Sequence, residues 1–149
     1  MTYRRATPAD RPALINLLIQ ADLLTDDLPD ELGTFTLAFD HDTLAGAAGV
    51  EGFGTVGLLR SVAVSSVYQA QRIGRQLIDA SVELAANQGI QELYLITTTA
   101  DGYFDRLGFE RVERGKVPEA IAKTRQFSDL CPASSVVMKK EVVPKLQLR

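Results

Sequence analysis

The spacing of apolar positions divides the first half of the chain into one helix and several strands. A short strand over "TYRRA" precedes the helical stretch "TPADRPALINLLIQADL", in which Thr7 can act as the N-cap and leucines form an apolar stripe. An acidic segment after this helix is predicted to be a loop or a short second helix. Three strands with short turns between them follow, over "TFTLAFD", "TLAGAAGVEGF" and "TVGLLRSVAV". Together these strands predict an antiparallel meander.

The next part of the chain predicts a strand, helix and strand crossover. A long helix from about residue 70 to residue 87 ends at Gly89, and the nearly continuous apolar strand "IQELYLITTT" follows it. Strands 55–64 and 91–98 should therefore lie parallel, joined by a right-handed connection. A short helix ending at Gly108, a helical "PEAIAKTRQF" and a final strand in "SSVVMKKEV" complete one predicted α+β domain over residues 1–149.

Composition and charge are those of an ordinary globular protein. Hydrophobic residues make up 46% and charged residues 23% of the chain. The net charge of -3 argues against a nucleic-acid-binding surface. No apolar run approaches the roughly 18 residues of a membrane span, and the first residues lack the apolar core of a signal peptide. With Cys131 as the one cysteine, we expect a cytoplasmic protein without a disulfide framework or a metal site.

The stretch "SSVYQAQRIG" interrupts two apolar segments and leads directly into the long helix. A strand that runs through a polar loop into a helix leaves several backbone N–H groups unpaired at the helix start, where the helix dipole is positive. Small residues such as Ala70 and Gly74 would let an anion approach the main chain closely. The stretch is therefore either a phosphate-binding or pyrophosphate-binding turn or an ordinary helix start. The dinucleotide and P-loop fingerprints are both missing from the sequence.

The longer segment "SVAVSSVYQAQRIGRQLI" resembles the acetyl-CoA-binding motif of the GNAT N-acetyltransferases, [QR]-x-x-G-x-[GA] after a valine-rich strand. Gln69 and Gly74 match the first and last motif positions, and Arg72 stands where the middle glycine is usual. Downstream, "FDRLGFERV" is similar to the second signature of the family. The chain also resembles the arsenic-resistance branch of the family in "LLRSVAV", "LYLITTTADGYFDRLGF" and "IAKTRQFSDLCPASSVVM". That branch is itself similar to the acetyltransferase domain of N-acetylglutamate synthase.

This resemblance implies a GNAT fold and an acetyltransferase activity. The fold would be α+β, with a mixed central sheet of about six or seven strands, splayed parallel fourth and fifth strands, and helices on both faces. The activity implied is acetyl-CoA-dependent acetylation of the amino group of a small amino acid or analogue, in arsenic or toxin resistance. A protein N-terminal or lysine acetyltransferase and a non-catalytic acyl-CoA-binding sensor are the alternatives. A homodimer is common in the superfamily.

The resemblance also implies which residues hold the coenzyme. In the family, backbone groups of the strand before the motif bind the pantetheine arm, and the loop and helix start hold the pyrophosphate. Mapped onto this chain, the cofactor-binding residues are Val62, Val64, Gln69, Ala70, Gln71, Arg72, Ile73, Gly74 and Arg75. Arg72 is open to three interpretations: a salt bridge to a coenzyme phosphate, a solvated residue, or a group that clashes with the pyrophosphate.

The catalytic groups are less clearly indicated. Many relatives protonate the departing thiolate with a tyrosine, but the matching position here is Phe104. Tyr103 is the nearest substitute, although one residue turns a side chain about 100° around a helix. Glu51 is the candidate base, acting through a water molecule, and an ordinary surface or turn carboxylate is the alternative. His41 lies in a predicted turn, and we expect no catalytic role for it.

Several polar residues are candidates for acceptor binding. Arg60 lies within an otherwise apolar strand, and a buried guanidinium needs an anionic partner. That partner is either the carboxylate of an amino-acid substrate or a carboxylate of the protein. Thr97 and Thr98 end the following strand, where their hydroxyls can bond the substrate or cap the next helix. For Cys131 we favour packing over covalent catalysis, because no activating group is evident in the sequence.

Overall fold

A computed structural model describes residues 1–69, 72–98, 100–129 and 135–142. The strands in these ranges are β1 (Thr2–Arg5), β2 (Phe35–Asp40), β3 (Thr43–Phe53), β4 (Val56–Val64), β5 (Glu92–Thr97), β6 (Glu110–Val112) and β7 (Val136–Glu141). The helices are α1 (Arg11–Gln20), α2 (Ile73–Asn87), α3 (Asp101–Arg106), α4 (Glu119–Ala122) and α5 (Arg125–Asp129). The strands form one mixed sheet in the order β1-β2-β3-β4-β5-β7-β6.

The pairing of the strands confirms the predicted mixed sheet. β2 pairs with β3 in antiparallel fashion, as the predicted meander required, and β1 pairs antiparallel with β2. β4 and β5 are parallel, with residues 56–58 opposite residues 92–94. β5 continues to Thr97 in antiparallel pairing with β7. Among the described residues, the parallel register therefore ends well before either strand does.

The acidic segment after α1 forms turns, the first of the two predicted alternatives, and Leu23 and Leu28 within it pack against the core. Two other features differ from the sequence prediction. The predicted helix "PEAIAKTRQF" is divided into α4 and α5 around Lys123 and Thr124. β7 lies between β5 and the short β6, an insertion that the sequence pattern does not reveal.

Helix ends follow the local chemistry of the chain. The Asp10 carboxylate accepts hydrogen bonds from the Thr7 N–H at 2.7 Å and the Thr7 hydroxyl at 3.0 Å, and a short 3-10 turn, Pro8–Asp10, leads into α1. Gly89 follows α2 with φ of 85°, a conformation that favours glycine. The longest helix, α2, has 15 residues, and no helix in the described ranges is both long and apolar enough to cross a membrane.

The chain forms two compact units, of which the first comprises Met1–Val50 and Ser61–Leu84. Its core joins Leu14, Leu17 and Leu18 of α1 to Phe35, Leu37 and Ala47 of the sheet. On the neighbouring residue of β3, Gly46, an added Cβ would lie 2.9 Å from Leu77 of α2. Because successive residues of a strand point to opposite faces, α1 and α2 cover opposite faces of the sheet.

The second unit comprises Glu51–Arg60 and the described residues of Ala85–Arg149. Leu58 of β4, Tyr94 of β5 and Val137 of β7 pack with Ile121 of α4 on one face. On the adjacent residue Gly57, an added Cβ would meet Ile90 at 2.9 Å instead. The strands of this unit are thus also buried on both faces, which explains their nearly continuous apolar sequences.

Candidate functional site

A cavity of about 340 Å³ lies in the first unit, between the C-terminal end of α1 and the end of β4. Its lining residues are small, apolar or neutral polar: Leu17, Gln20, Ala21, Val62, Ala63, Val64, Ser65, Ser66 and Gln69. No ionisable side chain belongs to this set. The cavity therefore suits an uncharged chain that carries hydrogen-bonding groups, such as a series of amides.

The end of β4 is shaped by an unusual backbone conformation. Ser61 is buried and has φ of 56°, in the left-handed region that non-glycine residues rarely adopt. A left-handed residue within a strand changes the local direction of the backbone. Val62 and Val64, both predicted to bind the coenzyme, follow Ser61, are half-buried and line the cavity.

Residues 65–69 of the β4–α2 loop are fixed by backbone and side-chain contacts. The Ser65 N–H donates to the Ala45 carbonyl at 2.8 Å, and the Tyr68 N–H donates to the Ser65 carbonyl at 2.8 Å. The Gln69 side-chain amide lies 3.4 Å from the Val64 carbonyl, to which it donates. These contacts fold the loop back over the end of β4, beside the cavity.

A further contact ties this loop to the end of β2. The Tyr68 hydroxyl donates to Asp40 Oδ2 at 2.8 Å, and His41 Nδ1 lies 3.1 Å from Asp40 Oδ1. The hydrogen bond from Tyr68, together with that from His41, lowers the pKa of the Asp40 carboxyl. The same bond raises the pKa of the Tyr68 phenol. The imidazole of His41 is 95% exposed in the turn between β2 and β3.

The start of α2 carries the remaining predicted coenzyme-binding residues. The Arg72 carbonyl accepts the Gln76 N–H at 3.1 Å, so Arg72 is the N-cap and Ile73, Gly74 and Arg75 form the first turn. The first N–H groups of a helix have no intrahelical acceptor, and the helix dipole makes this end positive. Ala70 and Gln71 lie outside the described residues.

Arg72 has φ of 61°, which explains why glycine is the usual residue at this motif position. We expect Arg72→Gly to raise the free energy of unfolding by about 0.5–1 kcal/mol, because a residue with Cβ is strained in the left-handed region. Urea denaturation measures this change. The matched variant Arg75→Gly, within α2, should instead lose about 1 kcal/mol. A loss of stability in both variants would contradict the assignment of strain to Arg72.

Glu51 and Arg60 form an ion pair within the second unit. Arg60 Nη1 lies 2.5 Å from Glu51 Oε1, and the Arg60 side chain is fully buried whereas that of Glu51 is 25% exposed. The candidate base and the candidate carboxylate-binding residue are thus brought together. The partner of the buried guanidinium is thus a carboxylate of the protein, one of the two alternatives that the sequence analysis allowed.

The other predicted catalytic and acceptor-binding residues lie around α3. The Thr97 hydroxyl accepts the Ala100 N–H at 3.0 Å and so supports the turn before α3, while Thr98 is exposed. Tyr103 is half-buried, and its ring meets the edge of Phe104 at a centroid distance of 5.4 Å. Phe104 is buried against Phe109. Cys131 lies outside the described residues.

Sequence reasoning did not identify the wall that α1 contributes to the cavity. Leu17, Gln20 and Ala21 are spaced at i, i+3 and i+4, so they share one face of the helix end. This spacing was visible in the sequence, but it is the spacing of any core-facing stripe. Likewise, no pattern in the sequence predicts the hydrogen bond between Tyr68 and Asp40.

Comparison with known proteins identifies similar chains and similar folds. An uncharacterized N-acetyltransferase of Chlorobaculum tepidum is 31% identical over 63 residues, a match that spans 42% of this chain and 40% of the relative. N-acetylglutamate synthase from Neisseria gonorrhoeae, complexed with coenzyme A and N-acetyl-glutamate, superposes with a TM-score of 0.82 at 20% identity. That match covers 95% of this chain but 35% of the synthase.

Two further structures match over nearly their whole length. The Rv2747 protein of Mycobacterium tuberculosis, in complex with CoA, has a TM-score of 0.77 at 19% identity and covers 96% and 100% of the two chains. The paiA N-acetyltransferase of Thermoplasma acidophilum, in complex with coenzyme A, has a TM-score of 0.68 at 15% identity, with coverage of 94% and 98%. These likenesses confirm the predicted GNAT fold.

The family described as the acetyltransferase (GNAT) family matches residues 4–109, which include the cavity-lining residues, the β4–α2 loop and α3. The chain therefore belongs to the acetyltransferase (GNAT) family, as the sequence resemblance predicted.

Proposed function

We propose that this enzyme transfers the acetyl group of acetyl-CoA to the amino group of a small amino acid or amino-acid analogue. The observation that carries the proposal is the position of the cavity. Its neutral lining continues from the end of β4 into the loop that precedes the start of α2. The pantetheine arm of the coenzyme is neutral, contains amides and ends at a diphosphate. Its amides suit the neutral cavity, and the diphosphate suits the positive start of the helix.

In this proposal each part of the coenzyme has its own set of contacts. The pantetheine arm lies along Val62 and Val64, and the diphosphate is bound by the loop from Gln69 through Ala70 and Gln71 to the first turn of α2. Backbone N–H groups of Ile73, Gly74 and Arg75 support this placement, because they begin α2. The exposed Arg72 guanidinium adds a positive charge beside them.

The reaction would be direct attack of a neutral amine on the thioester carbon. A nitrogen–carbon bond forms, the carbon–sulfur bond breaks, and the coenzyme leaves as a thiolate. Because a thiol has a pKa of about 8.5, the thiolate can leave with little help from an acid. This fits the burial of Phe104 at the usual acid position, with Tyr103 as the remaining proton donor. Glu51 would accept the amine proton through a water molecule.

The acceptor class is proposed from Arg60 and from the relatives. Arg60 would bind the acceptor carboxylate in exchange with Glu51, while Thr97 and Thr98 would bond its polar groups. The gonococcal synthase holds N-acetyl-glutamate together with coenzyme A, which supports an amino-acid acceptor. Arsenic or toxin resistance is one setting for such acetylation. The single cysteine of the sequence supports a cytoplasmic enzyme.

Thiol release from acetyl-CoA across a panel of amines tests the proposal. The panel contains glutamate, its analogues, arsenic-containing amino acids, and peptides with a free N-terminus or lysine. We expect release with at least one amino acid and none with the peptides. Release only with peptides would make the enzyme a protein acetyltransferase. Coenzyme binding without release for any acceptor would indicate an acyl-CoA sensor, and no binding at millimolar concentration would overturn the proposal.

A further inference from the structure

Two hydrogen bonds tie residues 65–69 of the β4–α2 loop to β2 and β3, in addition to the 3.4 Å contact of the Gln69 side chain with the Val64 carbonyl of β4. Ser65 is bound to Ala45 of β3 by its backbone, at the beginning of the loop. Tyr68 is bound to Asp40 at the end of β2 by its side chain, three residues later. Between them Val67 is 78% exposed, so burial contributes little to fixing this part of the loop. The Tyr68 hydroxyl is thus the shorter of the two side-chain contacts of this segment, and the one that links it to β2.

Tyr68 is adjacent to the residues that would contact the coenzyme. Gln69 follows it directly, and Ser65, Ser66 and Gln69 all line the cavity. The contact is strong for a half-buried pair, since a phenol donates to a carboxylate at 2.8 Å. A ligand that binds an ordered loop is spared the entropy of ordering it.

We propose that the Tyr68–Asp40 hydrogen bond is a positioning contact that holds residues 65–69 in the conformation that binds the coenzyme. Neither side chain needs to touch the ligand. This inference rests on the proposed function, since it assigns the contact to coenzyme binding. It predicts that breaking the bond weakens coenzyme affinity without changing the chemical step.

Titration with CoA by calorimetry tests this, because it requires no knowledge of the acceptor. We expect Tyr68→Phe and Asp40→Ala each to weaken CoA binding about fivefold, the effect of one net hydrogen bond on an equilibrium constant. The double variant should lose no more than either single variant, because both remove the same bond. Asp40→Asn should bind within about twofold of the wild type, since its amide oxygen still accepts from the phenol.

Tyr94→Phe is the matched control. Its hydroxyl also donates to a carboxylate, Glu92 Oε1 at 3.3 Å, but it lies at β5 in the second unit. This variant should bind CoA like the wild type even if its melting temperature falls. Amide hydrogen exchange of residues 65–69 should accelerate in Tyr68→Phe and remain unchanged in Tyr94→Phe.

The outcomes separate this inference from the proposed function. If the wild type binds CoA and the Tyr68 and Asp40 variants bind equally well, the positioning role is wrong and the proposed function stands. Additive losses in the double variant would also contradict it, because the two side chains would then act separately. A wild-type protein that does not bind CoA at millimolar concentration overturns the proposed function and this inference together.

Discussion

Replacing Gly74 with aspartate should raise the KM for acetyl-CoA by about 100-fold while the protein stays folded. Gly74 is the second residue of α2, where a carboxylate interacts favourably with the helix dipole. The same carboxylate would repel a diphosphate bound there by about 3 kcal/mol, for charges about 5 Å apart at an effective dielectric constant of about 20. Steady-state kinetics at low salt, or CoA titration, measures the effect.

Gly74→Asn is the control for this prediction. Asparagine has almost the same shape as aspartate and carries no charge, so its KM should rise less than about fivefold. The difference between the two variants should shrink as salt is added, because a half-exposed site is screened. Equal KM values for the two variants at low salt would show that no phosphate lies near this helix start.

Removing the Glu51 carboxylate should cause a large loss of stability. We expect Glu51→Ala to lower the free energy of unfolding by about 3 kcal/mol, because the fully buried Arg60 guanidinium loses a charged partner at 2.5 Å. Arg60→Met should cost less, since the carboxylate left behind is 25% exposed and remains partly solvated. Urea denaturation of both variants gives the comparison. Equal losses of stability in the two variants would mean that the greater burial of Arg60 does not determine how much stability is lost.

The double variant Glu51→Leu with Arg60→Met separates stability from acceptor binding. Replacing both charges with apolar side chains of similar size should recover at least half of the loss seen in Glu51→Ala. In this folded variant, an acceptor KM raised about tenfold or more would support a carboxylate-binding role for Arg60. An unchanged acceptor KM would mean that Arg60 pairs with Glu51 and does not bind the acceptor.

The sequence predicted the sheet well where local patterns decide the structure. Apolar alternation and turn residues located the meander, and a polar break between a valine-rich strand and an amphipathic helix located the β4–α2 loop. Thr7 marked the start of the 3-10 turn that leads into α1, and Gly89 marked the end of α2, through chemistry that acts over a few residues. These signals act over a few neighbouring residues, so they can be recognised in a single sequence.

Features that depend on distant parts of the chain were not predictable. The hydrogen bond between Tyr68 and Asp40 joins segments that lie far apart in the sequence, and so does the pairing of β7 with β5. The local sequence of neither segment indicates its partner. The left-handed conformation of Ser61 also escaped prediction, because serine has no special preference for it. Arg60 shows the intermediate case, in which the sequence indicated a charged partner and the structure identified it as Glu51.

The insertion of β7 between β5 and β6 has a consequence for synthesis of the protein. On the ribosome, β5 emerges long before Val136–Glu141, its antiparallel neighbour. Until then, Leu93 and Leu95 belong to a strand with an open hydrogen-bonding edge, which invites wrong pairing between nascent chains. We therefore expect translation stalled before residue 136 to yield aggregation-prone, protease-sensitive fragments rather than a partly active enzyme.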